Sequence, residues 1–286
     1  MPFWTNYHQH CHYCDGTDAP ETYIEAALAQ NVGSFGFSSH ATVPFSVPWC
    51  IKPHLFDAYI EHIKRLKNKY AEQLPIYVGM EIDYIPTLIN PQQAQFDNLD
   101  YRIGSVHYLQ LNPELPLFEV DGTSKAFREG LETLFANDIR RACELYYSST
   151  RDMLRQCPPD ILGHMDKIKM RNIDNRYFSD TDVWYRQAVM DTLDVAAEIG
   201  VVIEVNTRSM YKKKNTQPYP SYWVLEGIRQ RRIPIMLNSD AHQPREITAE
   251  FAQTAAQLYQ LGFRELHVIT PQGIAPRPFT AEGIEM

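Results

Sequence analysis

Apolar residues recur along this chain in two alternating patterns. In the longer segments they repeat at helical spacing, as in residues 55–72, where Phe56, Tyr59, Ile60 and Ile63 fall on one face. This periodicity predicts helices at residues 19–31, 55–72, 125–156, 182–199, 221–231 and 246–261.

Two of these predicted helices carry further detail at their ends. The helix at 19–31 follows a capping-box pattern from Asp18 to Glu21 and stops before Gly33. The segment 125–156 fits either one long helix or two abutting helices, since its apolar periodicity continues throughout.

Shorter, nearly all-apolar segments separate the helices and predict strands that are buried on both faces. Seven of them lie at residues 3–8, 34–37, 76–82, 101–106, 160–162, 201–205 and 233–237, and 266–269 is a candidate eighth. Strands that alternate with helices in this way favour βαβ units and a parallel sheet. We therefore expect one α/β domain over residues 1–286, built around a barrel of parallel strands.

Each of the first seven strands runs into a residue that can bind a metal ion. In chain order these residues are His8 and His10, His40, Glu81, His107, His164, Glu204, and the pair Asp240 and His242. The C-terminal ends of parallel barrel strands converge on one face, so residues far apart in the sequence meet there. Imidazole together with carboxylate suits zinc, manganese or iron rather than calcium.

Two ligand pairs at alternate positions, His8 with His10 and Asp240 with His242, indicate more than one ion. Positions i and i+2 of a strand share a face, so both members of a pair can point at the same centre. A cluster of two or three divalent transition-metal ions is suited to the hydrolysis of phosphate esters. The pattern therefore predicts a metal-dependent phosphoesterase.

The overall composition restricts the partners and the compartment. A formal net charge of -8 disfavours a nucleic-acid partner and favours a small-molecule substrate. No apolar stretch is long enough to span a membrane, and the N-terminal residues lack the pattern of a secretory signal. The five cysteines form no evenly spaced framework, so we expect a reduced, cytoplasmic protein.

Three further features each have a structural and a functional interpretation. Cys11 and Cys14 have the spacing of half a zinc site or a redox pair, but no second cysteine pair follows. The three lysines at 212–214 form a solvated face or steer a phosphate. The loop at 42–53, with three prolines, is either a semi-rigid lid or a well-packed surface loop.

Eight short motifs connect these observations. They are His8-x-His10, Tyr13-Cys14-Asp15-Gly16, Ser39-His40, Gly79-x-Glu81-x-Asp83-Tyr84, Gly104-Ser105-Val106-His107, Gly163-His164-x-Asp166, Glu204-x-Asn206-Thr207-Arg208 and Ser239-Asp240-Ala241-His242. As a set, over about residues 5 to 265, they resemble the polymerase-and-histidinol-phosphatase (PHP) family, and most closely its histidinol-phosphatase branch.

The resemblance implies a distorted (βα)7 TIM-like barrel with a trinuclear metal centre of zinc, manganese or iron. The three ions would be bound by His8, His10, Glu81 and Asp240; by Glu81, His107 and His164; and by His40, His242 and Asp15. His12 is the alternative to Asp15 in the last position. The catalytic centre would consist of the bridging Glu81 together with His107, His164 and Asp240.

The resemblance also implies a substrate. Lys169 and Arg208 match the two basic residues that would contact its phosphate, and the expected reaction is hydrolysis of L-histidinol phosphate in histidine biosynthesis. The alternatives are a PHP phosphoesterase acting on nucleotides or oligonucleotides, an amide or lactone hydrolase on a similar barrel, and a non-catalytic metal-binding module. The oligomeric state stays open.

Overall fold

The computed structural model describes residues 2–285, in which seven parallel strands curl into a nearly closed barrel. In chain order the strands are β1 (Trp4–Asn6), β2 (Val32–Phe37), β3 (Ile76–Asp83), β4 (Tyr101–Ser105), β5 (Tyr108–Leu109), β6 (Phe118–Glu119), β7 (Ile161–Leu162), β8 (Val202–Asn206), β9 (Ile235–Asn238), β10 (Glu265–Thr270), β11 (Gly273–Thr280) and β12 (Gly283–Ile284). The barrel sheet has the order β1-β2-β3-β4-β7-β8-β9, and every neighbouring pair is parallel. The prediction of an α/β barrel is confirmed.

The first and last barrel strands meet just beyond their C-terminal ends. The backbone N–H of His10 donates to the carbonyl of Ala241 at 2.8 Å, and the N–H of Ala241 donates to the carbonyl of His8 at 3.2 Å. The Asn238 side chain also accepts a hydrogen bond from the backbone of Tyr7 at 2.9 Å. These contacts bring the first ligand pair of the sequence beside the last.

Large side chains fill the barrel below this end. Tyr101 is buried and reaches from β4 to the carbonyl of Tyr7, to which its hydroxyl donates at 2.5 Å. Its ring lies directly against Gly79 of β3, where an added Cβ would come within 2.4 Å of the ring. Glycine at this position thus lets an aromatic ring occupy the barrel interior, and the polar residues gather above it.

Helices surround the barrel, as the periodicity predicts. They are α1 (Pro20–Ala29), α2 (Phe56–Lys69), α3 (Ser124–Phe135), α4 (Ile139–Gln156), α5 (Val183–Ile199), α6 (Arg208–Tyr211), α7 (Tyr222–Gln230) and α8 (Phe251–Gln260), with 3₁₀ turns at Pro53–Leu55, Ala94–Phe96, Lys167–Arg171, Ile173–Asn175 and Pro244–Glu246. None of the helices within residues 2–285 combines the length and the apolar character needed to cross a membrane.

The capping box predicted before α1 is wrong. Ala19 occupies the cap position without a side-chain hydrogen bond, and Pro20 is the first helical residue. Proline fits there because its missing N–H would have no partner in the first turn and its fixed φ angle suits a helix. Asp18 instead accepts a hydrogen bond from the Thr17 hydroxyl.

The segment 125–156 consists of two helices. Ala136 and Asn137 separate α3 from α4, and both adopt left-handed backbone angles, with φ of 53° and 63°. Asp138 then caps α4 by accepting the backbone N–H of Arg141 at 3.0 Å. The last helix also begins later than predicted, at Phe251, because left-handed Glu250 separates it from the preceding 3₁₀ turn.

The candidate eighth strand, 266–269, is not part of the barrel. It lies in β10, which pairs antiparallel with β11 in a separate three-stranded sheet. The chain turns back directly after Thr270, so β10 pairs with its own neighbour in sequence. The short antiparallel hairpin of β5 and β6 was also not predicted, and it lies beside the functional site.

Candidate metal centre

All nine predicted metal ligands meet at the C-terminal end of the barrel. They form four overlapping groups, and within each group the potential ligand atoms lie within 4.8 Å of one another. The groups are His10, Asp15, His40 and His242; His8, His164 and Asp240; His8, His10 and Glu81; and His40, Glu81 and His107. The strand ends have thus brought together residues from position 8 to position 242.

Glu81 lies at the centre of this cluster, at the C-terminal part of β3. Its Oε1 atom is 2.8 Å from His164 Nε2 and 3.4 Å from His107 Nε2. Its Oε2 atom is 3.2 Å from His8 Nε2 and 3.0 Å from His40 Nδ1. Because the two oxygens face different sets of imidazoles, the carboxylate has the geometry of a bridge between two ions.

The donor atoms fit a bound cation. His8 Nε2, His10 Nε2 and His40 Nδ1 are buried, and among the described residues none of them has a hydrogen-bond partner of acceptable geometry. Unpaired buried polar atoms are rare and require an explanation. Three imidazole nitrogens that converge on one carboxylate are explained by divalent transition-metal ions, which these ligand types prefer.

The ligand group that contains Asp15 lies nearer the surface. Asp15 Oδ2 is 3.0 Å from His242 Nε2, and Asp15 Oδ1 is 3.8 Å from His10 Nδ1 and 3.9 Å from His40 Nε2. His12 is exposed and belongs to none of the groups. The geometry therefore favours Asp15 over His12. It also places His10 between two groups, with one ring nitrogen toward each.

Charge interactions shift the pKa values of the buried ligands. Burial alone lowers the pKa of His8, but the carboxylates of Glu204 and Glu81 outweigh burial and raise it well above the ordinary value. Burial alone raises the pKa of Glu81, but His40, His8 and His107 outweigh burial and hold it well below the ordinary value. An entering cation would replace protons that these histidines otherwise carry.

Two further carboxylates, Glu204 and Asp83, orient candidate ligand imidazoles. Glu204 accepts a hydrogen bond from His8 Nδ1 at 2.6 Å, and it is absent from the four ligand groups, although it also lies in the C-terminal half of a barrel strand. Asp83 accepts from His107 Nδ1 at 3.0 Å. Such partners fix which ring nitrogen faces the metal and raise ligand basicity.

A cavity of about 180 Å³ opens above the cluster. Three cationic side chains line it besides the candidate ligands, namely Arg208, Lys167 and Lys214. Lys214 is the last of the three lysines at 212–214, so the cavity contains one residue of that run. A cavity with metal ligands at its base and cations on its wall is suited to a phosphate group.

Arg208 overlooks the cluster from the first residue of α6. Its Nη1 donates to the carbonyl of Asp240 and to His242 Nδ1, each at 2.6 Å, and the side chain is 22% exposed. Burial alone lowers the pKa of Arg208, but Asp240 and Tyr211 outweigh it and raise the pKa. The guanidinium therefore stays charged, and its remaining N–H groups can reach an anion in the cavity.

The structure does not bring Lys169 into this cavity. Its ammonium group donates to Asp180 at 2.9 Å and to the Ser221 hydroxyl, and the side chain lines a separate, larger cavity. Lys167 faces the cluster instead, with its Nζ 3.8 Å from Asp240 Oδ2. Both lysines belong to a 3₁₀ turn, in which residues two apart point in different directions.

The loop at 42–53 packs against the site. The Trp49 ring lies 4.6 Å from the His40 ring and stacks on Tyr108 at 5.8 Å. Trp49 also lines the cavity of the candidate ligands, so the loop forms one of its walls.

All five cysteines, Cys11 and Cys14 among them, are free thiols.

The chain matches a family model and is similar to proteins named as histidinol-phosphatases. The family model described as "PHP domain" matches residues 6–208. A "probable histidinol-phosphatase" from Deinococcus radiodurans is 28% identical over 268 residues, covering 90% of this chain and 93% of that protein. A "histidinol-phosphatase" from Bacillus subtilis is also 28% identical, covering 84% of this chain and 94% of that protein.

A solved structure has the same fold. The histidinol phosphate phosphatase of Lactococcus lactis superimposes with a TM-score of 0.67 at 19% identity, covering 99% of both chains. That structure is a complex with zinc, L-histidinol and phosphate. At this level of identity the likeness shows a shared barrel fold.

Proposed function

The chain belongs to the PHP domain family, and on that basis we propose that it is a metal-dependent phosphomonoesterase that hydrolyses L-histidinol phosphate to L-histidinol and phosphate. The observation that carries the proposal is one cavity that combines the candidate metal ligands with the cations Arg208 and Lys167. The two relatives named as histidinol-phosphatases are similar to this chain over most of its length, which supports the same substrate.

Two to three divalent transition-metal ions, of zinc, manganese or iron, are the cofactor of this proposal. Glu81 would hold two of the ions, and Asp15 would complete the ligands of the outer ion. The family resemblance implies three ligand sets, namely His8, His10, Glu81 and Asp240; Glu81, His107 and His164; and Asp15, His40 and His242. In the four ligand groups of the structure, His164 lies with His8 and Asp240, His40 lies with Glu81 and His107 as well, and His10 also faces Asp15. Bound ions of this type supply Lewis acidity that polarises a phosphoryl group.

The protein's own cations hold the phosphate in this proposal. Arg208 presents a planar guanidinium that can contact two phosphate oxygens at once, and Lys167 presents a point charge that lines the same cavity. Both groups stabilise negative charge as it develops on the phosphoryl oxygens. In this proposal Lys167 has the role that the family resemblance implies for Lys169, whose ammonium group donates instead to Asp180 and Ser221.

The reacting phosphate lies against side chains that exclude water. Trp49 covers one wall of the cavity, and its ring contacts His40. Removal of water strengthens the electrostatic contacts of Arg208 and Lys167 with the phosphate, because the local dielectric constant falls.

The free thiols of all five cysteines are consistent with a reducing cytoplasm, which we propose as the compartment.

A phosphate-release screen tests the function directly. The metal-reconstituted protein is assayed with L-histidinol phosphate, nucleoside monophosphates and sugar phosphates, and the metal content of each sample is measured. We expect two to three ions per chain and the highest kcat/KM with L-histidinol phosphate. Glu81→Gln should lower kcat by orders of magnitude without unfolding the protein, because an amide cannot bridge two ions. A preference for nucleotides would contradict the proposed substrate.

A further inference from the structure

Two carboxylates line the cavity without belonging to any ligand group. Glu119 ends β6, and Asp121 follows it on the same hairpin. Asp121 Oδ2 lies 3.7 Å from Lys167 Nζ, so this carboxylate already faces a cation. The Glu119 carboxylate has neither a hydrogen-bond donor nor an ion-pair partner among residues 2–285. The negative charge of Glu119 on the cavity wall therefore has no cationic partner among these residues.

The hairpin of β5 and β6 places Glu119 beside the cavity. Glu119 pairs with Tyr108 across the two short strands, and Tyr108 in turn stacks on Trp49. The carboxylate lies over Gly122, where an added Cβ would come within 2.3 Å of its Oε2 atom. Gly122 therefore leaves the space that Glu119 occupies at the edge of the cavity.

The electrostatic surroundings of Glu119 are unfavourable for an isolated anion. Burial, followed by the repulsion of Asp121, raises the pKa of this carboxyl group. A half-buried carboxylate that has lost part of its hydration gains most from a cationic partner. The protein supplies no such partner at hydrogen-bonding distance within its described residues, whereas a cationic ligand in the cavity would supply one.

The proposed substrate has a cation at a suitable position. In the phosphate ester of a 2-amino alcohol, the ammonium nitrogen is separated from the ester oxygen by only three bonds. When the phosphate lies over the metal ligands, that ammonium group must lie in the same small cavity. Building on the proposed function, we propose that Glu119 binds the ammonium group of the leaving alcohol and thereby selects phosphate esters of 2-amino alcohols.

Asp121 is the poorer partner for the same group. A ligand ammonium beside Asp121 would also approach the ammonium of Lys167, and the two like charges repel. Glu119 forms no ion pair among residues 2–285, so an ammonium group beside it meets no protein cation at ion-pair distance from that carboxylate. The two carboxylates therefore have different roles in the proposal. Asp121 faces Lys167, which contacts the phosphate, and Glu119 faces the leaving alcohol.

The experiment compares two substrates that differ only in the amino group. One is L-histidinol phosphate, and the other is the same ester with hydrogen in place of the amine. With the metal-reconstituted protein, kcat/KM should be higher for the amine-bearing ester by about ten- to a hundredfold, the range of a charge-assisted hydrogen bond. In Glu119→Gln the ratio of the two kcat/KM values should fall toward one, chiefly because KM for the amine-bearing ester rises. The metal content of this variant should equal that of the wild type.

Two further variants separate recognition from a general effect on the protein. Glu114→Gln removes the same charge from an exposed position in the connection between β5 and β6, and should keep the wild-type ratio. Gly122→Ala displaces the Glu119 carboxylate without changing any charge, and should lower the ratio as Glu119→Gln does. If Glu119→Gln and Gly122→Ala both keep the wild-type preference for the amine, the inference is overturned.

The outcomes also separate this inference from the proposed function. A wild-type protein that hydrolyses both esters equally well would overturn the role of Glu119 and leave the phosphatase activity standing. A wild-type protein that releases no phosphate from L-histidinol phosphate would contradict the proposed function itself. Loss of the amine preference in both Glu119→Gln and Gly122→Ala, with Glu114→Gln unchanged, is the result that supports the inference.

Discussion

Glu204 Oε1 lies 2.6 Å from His8 Nδ1, and this contact turns His8 Nε2 toward Glu81 at 3.2 Å. The same carboxylate accepts three more hydrogen bonds, from the backbone of His164 at 2.9 Å and from the side chains of Asn206 and Asn238 at 3.0 Å each. All four partners are donors, so Glu204 acts as an anionic acceptor that positions two strands' ligands at once.

Glu204→Gln should therefore weaken metal binding without removing a ligand. The amide group replaces one acceptor oxygen by a donor, so at least one buried donor loses its partner. We expect the affinity for zinc to fall by about ten- to a hundredfold, as for other partners that orient metal-bound histidines. Titration of the metal-free protein against a chromophoric chelator measures this. Glu198→Gln, at an exposed position of α5, is the matched control, and equal affinities in both variants would contradict the role.

The two lysines of the 3₁₀ turn can be distinguished by the same substitution. Lys167→Met should lower kcat/KM for L-histidinol phosphate by about ten- to a hundredfold and weaken inhibition by inorganic phosphate, because a charge facing the phosphate is lost. Lys169→Met should change kcat/KM less and lower the free energy of unfolding, since it leaves Asp180 and Ser221 without their ammonium partner. The reverse pattern would restore Lys169 as the phosphate-binding residue.

Substitution of Arg208 tests both the phosphate-binding site and the proposed class of substrate. Arg208→Ala should cost about 1.5 to 3 kcal/mol in kcat/KM, the range of a hydrogen bond to a charged group. Arg208→Lys should recover only part of this, because a point charge cannot contact two oxygens as a guanidinium does. Since Arg208 also donates to His242 and to the Asp240 carbonyl, metal content is measured in parallel. Unchanged kcat/KM in Arg208→Ala would argue against a phosphomonoester substrate.

Metal binding should strengthen as pH rises. Burial alone lowers the pKa of His107, but Asp83 and Glu81 outweigh it and raise the pKa to about 10 in the metal-free protein. His107 is therefore protonated at neutral pH, and an ion that uses this imidazole must displace the proton. Raising the pH toward 10 removes that competition, so the apparent affinity increases. Chelator competition between about pH 6 and 9 measures the slope, and a flat profile would contradict a protonated His107.

The sequence predicts for a geometric reason which candidate ligands lie together. Strand ends in a parallel barrel converge, and alternate positions of a strand share a face, so His8, His10, Asp240 and His242 could be placed together before any coordinates. Glu204 has the same sequence signal and yet binds His8. Candidate ligands and the residues that orient them are His, Asp or Glu side chains near the C-terminal ends of strands. The sequence therefore does not distinguish the two roles, whereas interatomic distances do.

Short and irregular segments limit the prediction elsewhere. Lys167 and Lys169 are two residues apart, and nothing in the sequence fixes the 3₁₀ geometry that points them into different cavities. The strands β5 and β6 have two residues each, too few for a periodic signal, so the hairpin that places Glu119 was missed. The segment 266–269 has the composition of a barrel strand, and its pairing is decided by the turn that follows.

The hydrogen bonds that join His8 and His10 to Ala241 link the first candidate ligands in the chain to the last. The ligands of the first segment leave the ribosome first, and their neighbours across the seam of the barrel, Asp240 and His242, leave last. A nascent chain that ends before residue 240 exposes histidines but cannot close the ring. Two of the four ligand groups contain Asp240 or His242, so these groups stay incomplete until residue 242 has been translated.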